Sequence, residues 1–236
     1  MSKIDGIAAA RIFTKDYYPD CLAALLFGSV ARGEATLNSD LDILIVIEQE
    51  ISFYRKSYSD YGWLIEAFVG SQTFYEEKVI HPGTNRKPSL LTSFAEAIIL
   101  KDHNNFAHNL KEKAITIIEQ GPEPLTDQEI NQYRYIITDW LDDLSDCMTE
   151  SEALFIAPEL VVKSAELLLA YNRRWSGDRR LLYRALEKLD HQLSKQLVEA
   201  ATEFYRTGRK DRLIEVIEAI LELVGGRLYE GYEKAG

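Results

Sequence analysis

Short, continuous apolar runs mark the first half of the chain. Runs of about four to eight apolar residues, bounded by glycine or polar residues, are typical of strands buried on both faces of a sheet. This pattern predicts strands at 22–27, 41–47, 63–69 and 97–100. Stretches with apolar residues at helical spacing predict helices at 4–17 and 104–120. We therefore expect the first half to be an α/β domain.

Two further segments of this half carry local signals. Ser71 stands where a helix N-cap would follow the third predicted strand, because its side chain can accept a hydrogen bond from a free backbone N–H. Residues 81–89, with the sequence HPGTNRKPS, are rich in proline, glycine and asparagine and predict a loop.

The segment 121–126, GPEPLT, separates two halves of different character, because its prolines and glycine interrupt regular structure. Beyond it the apolar spacing is helical throughout. It predicts helices at 127–148, 179–189, 192–205 and 209–228, together with one that opens at Pro158 in its first turn. Short connections favour an antiparallel bundle of about five helices. The sequence thus predicts two domains, 1–121 and 122–236, the second of them all-α.

Composition and charge narrow the class of protein. Hydrophobic residues make up 46% of the chain, which is enough to bury a core. No apolar run approaches the roughly 20 residues of a membrane span, and the N-terminus lacks a secretory pattern, so we expect a cytoplasmic protein with no membrane partner. The formal net charge is −11, which argues against nucleic acid as the main partner.

Gly28-Ser29, followed by Asp40 and Asp42, is the arrangement with the clearest chemistry. A buried strand leads to Gly28, where the backbone can approach a ligand closely, and Ser29 opens a short helix whose free N–H groups can face a phosphate. Asp40 and Asp42 lie two apart on the next strand, so both carboxylates project to one face. Paired carboxylates repel each other unless a cation lies between them. Magnesium (Mg2+) fits, since it is held by one or two carboxylates plus substrate phosphates.

The segment from Leu25 to Val46 resembles the signature of the nucleotidyltransferase superfamily typified by DNA polymerase beta. Glycine, serine, arginine, glycine and both aspartates all stand at the family's spacing. The small-molecule branch of this superfamily includes kanamycin nucleotidyltransferase and the streptomycin adenylyltransferases. The resemblance implies an α/β nucleotidyltransferase fold with a small mixed sheet, followed by a helical domain. It also implies transfer of a nucleoside monophosphate, AMP from ATP, to a hydroxyl of a small molecule, with release of pyrophosphate.

The resemblance also suggests roles for individual residues. Asp40 and Asp42 would hold magnesium, and Gly28 and Ser29 would cradle the phosphates. Glu66, in the third predicted strand, matches the family's third carboxylate and would either activate the acceptor hydroxyl or join the metal site. Arg32 and Lys163 are further candidates for nucleotide contacts, although Arg32 could equally pair with Glu34 or Asp40 and the signal for Lys163 is weaker. These roles make Asp40, Asp42 and Glu66 the candidate catalytic residues.

The acceptor is the part of the reaction on which the sequence leaves alternatives. An acidic stripe on the first predicted bundle helix is either a solvated face or the wall of a cleft for a cationic acceptor such as an aminoglycoside; it comprises Asp139, Asp142, Asp143 and Asp146. A competing hypothesis keeps the fold but makes the chain an antitoxin-like or regulatory nucleotide-binding module that acts on a protein or RNA. Arg184 and His191 loosely match a ribonuclease pattern of helical domains found in such systems.

Overall fold

The computed structural model describes residues 3–80 and 86–233. The chain divides into two compact units, Met1–Gln120 and Gly121–Gly236. Each unit has its own hydrophobic core.

A five-stranded mixed sheet forms the first unit, in the order β3-β4-β2-β1-β5. The strands are β1 (Ala23–Phe27), β2 (Leu41–Ile47), β3 (Tyr54–Asp60), β4 (Trp63–Ser71) and β5 (Ile98–Asp102). β2 and β4 run parallel, whereas β1 pairs antiparallel with β2 and β5, and β3 pairs antiparallel with β4. The predicted small mixed sheet is therefore confirmed.

Helices cover both faces of this sheet. They are α1 (Gly6–Tyr17), α2 (Gly28–Ala31), α3 (Gln72–Ile80), α4 (Ser89–Glu96) and α5 (Phe106–Gln120). On one face, Phe13 of α1 packs in a buried cluster with Ile43 and Ile45 of β2. On the other, the buried Tyr75 of α3 donates a hydrogen bond of 2.6 Å to the carbonyl of Phe68 in β4. Because β2 is covered on both sides, its sequence is apolar almost throughout, and Asp42 stands out within it.

Two elements of the first unit differ from the sequence prediction. β3 was not predicted, because it is an edge strand whose side chains are mostly exposed and therefore polar. It joins β4 through Tyr61 and Gly62, which both have positive φ, as a tight hairpin turn requires. The predicted loop at 81–89 was too long, since Ser89 already begins α4; residues 81–85 lie outside the described part of the chain.

The second unit is a set of helices, as predicted. They are α6 (Asp127–Asp146), α7 (Glu150–Tyr171), α8 (Arg180–Leu189), α9 (His191–Thr207) and α10 (Asp211–Glu222). Their apolar faces share one buried cluster that includes Leu141, Leu160 and Ile217. No helix in the described ranges is long and apolar enough to cross a membrane.

Two boundaries in the second unit correct the sequence prediction. Pro158 does not open a helix but lies inside α7, which begins eight residues earlier. The helix starts there because of a capping box. The side chain of Thr149 accepts a hydrogen bond from the backbone N–H of Glu152, and the side chain of Glu152 accepts one from the backbone N–H of Thr149. The last predicted helix, 209–228, was too long, since α10 ends at Glu222 ahead of Gly225 and Gly226, both at positive φ.

Candidate active site

One row of side chains crosses four strands at the end of the sheet. Phe27 of β1 lies opposite Asp42 of β2, Asp42 lies beside Glu66 of β4, and Glu66 lies opposite Ser57 of β3. Residues paired in register across adjacent strands project to the same face of a sheet. The two carboxylates that the sequence singled out on separate strands are thus neighbours on one surface, with an aromatic ring at one end of the row and a hydroxyl at the other.

The turn after β1 brings the backbone of Gly28 against Asp42. Gly28 has φ of +79°, and a Cβ added to it would lie 2.5 Å from Oδ2 of Asp42. A side chain at this position would collide with the carboxylate and would also be strained by the backbone conformation. The group that approaches Gly28 is thus the aspartate of the next strand, and the close approach of a ligand at this glycine stays a prediction.

Ser29 is oriented by the loop that returns to β2. Its hydroxyl donates a 3.0 Å hydrogen bond to Oγ of Ser39, which in turn accepts a 2.8 Å bond from the backbone N–H of Thr36. Ser39 directly precedes Asp40, so this short network ties the start of α2 to the carboxylate pair. Ser39 was not among the predicted site residues, although its position next to Asp40 could have indicated it.

The electrostatics of Asp42 set it apart. Burial is the largest cause that raises the pKa of the Asp42 carboxyl from 3.8 to about 7. The negative charges of Asp40 and Glu66 raise it further, whereas Arg32 and Arg55 oppose the shift. Across residues 3–80 and 86–233, no donor forms a hydrogen bond to the carboxylate of Asp40 or Asp42. Asp42 is therefore a half-buried acid with two acidic neighbours and, within these ranges, no hydrogen-bond donor to its carboxylate.

Arg32 is paired with carboxylates near the site. Its guanidinium lies 2.9 Å from Oε2 of Glu96 in α4 and 3.3 Å from Oε2 of Glu34. Of the two pairings considered from the sequence, the one with Glu34 is present. Glu96 was not anticipated, because it comes from a helix that the sequence did not predict.

Arg55 on β3 is a cation near the site that was not predicted from the sequence. Its Nη1 lies 3.4 Å from Oε2 of Glu66. Two residue pairs along the strands from that row, Phe68 of β4 lies opposite Arg55 and packs against Phe27 with ring centroids 5.4 Å apart. No sequence signal pointed to Arg55, because the strand that carries it has no apolar periodicity.

Lys163 lies in the second unit, on α7. Its ammonium is 3.0 Å from Oε2 of Glu166 and lies 5.6 Å from the ring centroid of Tyr133. Its predicted contact with nucleotide stays a prediction. In the acidic stripe of α6, Asp142 is paired with Arg227, and the side chains of Asp143 and Asp146 are exposed.

The donor set suits a magnesium ion that is only partly held by protein. Within the described residues, no group of three or more His, Cys, Asp or Glu side chains is placed to hold a metal. Magnesium commonly takes one or two carboxylates and completes its shell with substrate phosphates and water. Asp40 and Asp42 would supply such carboxylates, and no donor in the described part of the chain occupies their oxygens.

Comparison with known proteins agrees with this geometry. The profile of the nucleotidyltransferase domain family matches residues 10–104, a segment that contains all five strands and the row at the end of the sheet. Residues 10–104 are therefore similar to nucleotidyltransferase domains, which agrees with the resemblance inferred from the Gly-Ser and Asp-x-Asp motif.

One curated protein and one solved structure illustrate what this chain is similar to. A protein from Methanocaldococcus jannaschii with the provisional name protein adenylyltransferase is 41% identical over 59 residues, which are 23% of this chain and 59% of the relative. The chain thus spans about three fifths of the length of that curated relative. The crystal structure of a nucleotidyltransferase-like protein from Exiguobacterium sibiricum is 13% identical, with a TM-score of 0.49 over 92% of this chain and 73% of that one.

Proposed function

We propose that the protein transfers AMP from ATP to a hydroxyl group of an acceptor, with release of pyrophosphate, in a magnesium-dependent reaction. The observation that carries this proposal is the environment of Asp42. A carboxyl group whose pKa is raised to about 7 by burial and by acidic neighbours is an unfavourable feature of a fold unless a cation uses it. The proximity of the Gly28 backbone to this carboxylate supports a common site for the two residues.

Each residue of the site then has a role. Asp40 and Asp42 would hold magnesium, which neutralises phosphate charge and orients the triphosphate for in-line attack. Gly28 and Ser29 would bind phosphate oxygens, with Ser39 fixing the Ser29 hydroxyl at 3.0 Å. Glu66 would take the proton of the acceptor hydroxyl as it attacks the innermost phosphorus. Arg32 would exchange a carboxylate partner for a phosphate oxygen, and Lys163 is a further candidate nucleotide contact.

The acceptor we favour is a small hydroxylated molecule, and a cationic one such as an aminoglycoside is the first to test. Support comes from the resemblance to the kanamycin and streptomycin branch and from the net charge of −11, which attracts cations over long range. In the acidic stripe, Asp143 and Asp146 are exposed, whereas Asp142 is neutralised by Arg227. We place the reaction in the cytoplasm, because the donor is ATP and both cysteines are free thiols.

A second candidate is transfer of AMP to a hydroxyl of a protein. It is favoured by the Methanocaldococcus jannaschii relative, whose name assigns it protein adenylyltransferase activity. This alternative corresponds to the hypothesis, stated from the sequence, of an antitoxin-like or regulatory module that acts on a protein or RNA. The chemistry at Asp42 and Glu66 would be the same, and the two candidates differ only in what presents the hydroxyl.

The test is a transfer assay with labelled ATP and magnesium, run against an aminoglycoside panel and, separately, against a cell lysate. Pyrophosphate release and a mass gain of one AMP on a small molecule would support the first candidate, and the same gain on a protein the second. The variant Asp42→Asn should lose transfer at least 100-fold. Asp20 is an exposed aspartate outside the site, and Asp20→Asn, the matched control, should transfer at the wild-type rate. Transfer by Asp42→Asn at the wild-type rate would overturn the proposal.

A further inference from the structure

Glu66 lies between a negative and a positive neighbour. Its strand, β4, is flanked by β2 on one side and β3 on the other. Asp42 lies beside it on β2, and Arg55 approaches it from β3, with Nη1 of Arg55 3.4 Å from Oε2 of Glu66. A carboxylate is repelled by a like charge and attracted by a cation, so both neighbours draw Glu66 towards β3.

An ion pair distinguishes Glu66 from the two aspartates of the site. Asp40 and Glu66 both raise the pKa of Asp42, so the three carboxylates share one electrostatic environment. Within the described residues, Arg55 pairs with Glu66, whereas no ion pair involves Asp40 or Asp42. In the same part of the chain the three do not form a cluster placed to hold a metal.

We propose that Arg55 is a positioning residue that keeps Glu66 out of the metal site, so that Glu66 remains free to act on the acceptor. The inference rests on the proposed function, since it assumes that Asp40 and Asp42 hold a divalent cation. It decides between the two roles that the sequence left open for Glu66. It also assigns a role to an edge-strand arginine that no motif identifies.

A structural role for the pair is small by comparison. The side chain of Arg55 is 59% exposed and that of Glu66 is 28% exposed. Ion pairs of this kind contribute roughly 0–1 kcal/mol to stability. Substitution of Arg55 should consequently leave the sheet folded, and the variants can be compared without a loss of structure.

The experiment measures binding of Mn2+ by electron paramagnetic resonance in the presence of α,β-methylene-ATP, which cannot be cleaved at the reacting bond. Wild-type protein should bind Mn2+, and Glu66→Gln should match it within twofold because Glu66 is not a ligand. Arg55→Met should bind Mn2+ about fivefold more tightly, because the freed Glu66 can join Asp42. Arg55→Lys should restore the wild-type affinity. Lys56→Met, on the opposite face of β3, is the matched control and should change nothing.

The double variant Arg55→Met/Glu66→Gln separates positioning from a general effect of charge. If Arg55 acts through Glu66, the double variant returns to the wild-type affinity. If removal of a positive charge alone tightens binding, the double variant stays as tight as Arg55→Met, and the proposal is overturned. A tenfold loss on Glu66→Gln would overturn it as well, since Glu66 would then be a ligand. Failure of wild-type protein to bind Mn2+, or equal binding by Asp42→Asn, would instead overturn the proposed function on which this inference rests.

Discussion

Removal of the Asp42 charge should stabilise the metal-free protein while it abolishes activity. The carboxyl has a pKa of about 7 in the folded protein against an ordinary value of 3.8. A raised pKa in an acid means that the fold disfavours the charged form. The destabilisation is absent below pH 3.8, grows as pH rises, and is complete above about pH 7. The variant Asp42→Asn carries no charge at any pH and escapes this penalty.

The size of the effect follows from the same two values. Each pH unit between the folded and unfolded pKa corresponds to 1.36 kcal/mol, which gives an upper value of about 4 kcal/mol. Asp42 is only partly buried, and solvent screens its interactions with Asp40 and Glu66, so we expect about 2 kcal/mol at pH 8. At pH 5 the advantage should be smaller, because the carboxyl is then partly protonated in the folded protein.

The assay should report on the first unit alone, because two units need not unfold together. Hydrogen-exchange mass spectrometry on peptides from β2 and β4, with EDTA present, meets this need, and peptides from α9 serve as an internal reference. Slower exchange in Asp42→Asn at pH 8 than in wild type, after correction for intrinsic rates, is expected, with a smaller difference at pH 5. Equal or faster exchange at pH 8, or an advantage independent of pH, would refute the reasoning.

Three further predictions concern the turn and the helices. Gly28→Ala should lose at least 1 kcal/mol of stability and most transfer activity, because the added Cβ would collide with Asp42 and the positive φ would be strained. Gly33→Ala is the control: its φ is +72°, but the space around it is open, so it should keep its activity in the same transfer assay. Thr149→Ala should lower the unfolding free energy of the second unit by about 1 kcal/mol in urea, because it removes the capping box of α7. Pro158→Ala should raise it by about 1–2 kcal/mol, since an interior proline interrupts helix hydrogen bonding, and an unchanged urea midpoint would contradict this.

Much of the first unit could be predicted from the sequence, because buried strands have runs of apolar residues. β1 and β2 are covered on both faces, so their residues are apolar almost throughout, and the acid at position 42 is conspicuous among them. Gly28 and Asp42 lie at the joined ends of two adjacent strands, so their proximity follows from a short connection. The helical spacing of the second half likewise predicted its five helices, though not their ends.

What only the tertiary structure decided is which distant groups meet. β3 faces solvent at the edge of the sheet, so its composition did not predict a strand. The position of Arg55 beside Glu66 could therefore not be predicted either. Glu96 reaches Arg32 from α4, a helix that the sequence did not predict. Periodicity records whether a side chain is buried, but it carries no information about the partner across a sheet. Strand order and register supply that information, and they place Glu66 between Asp42 and Arg55.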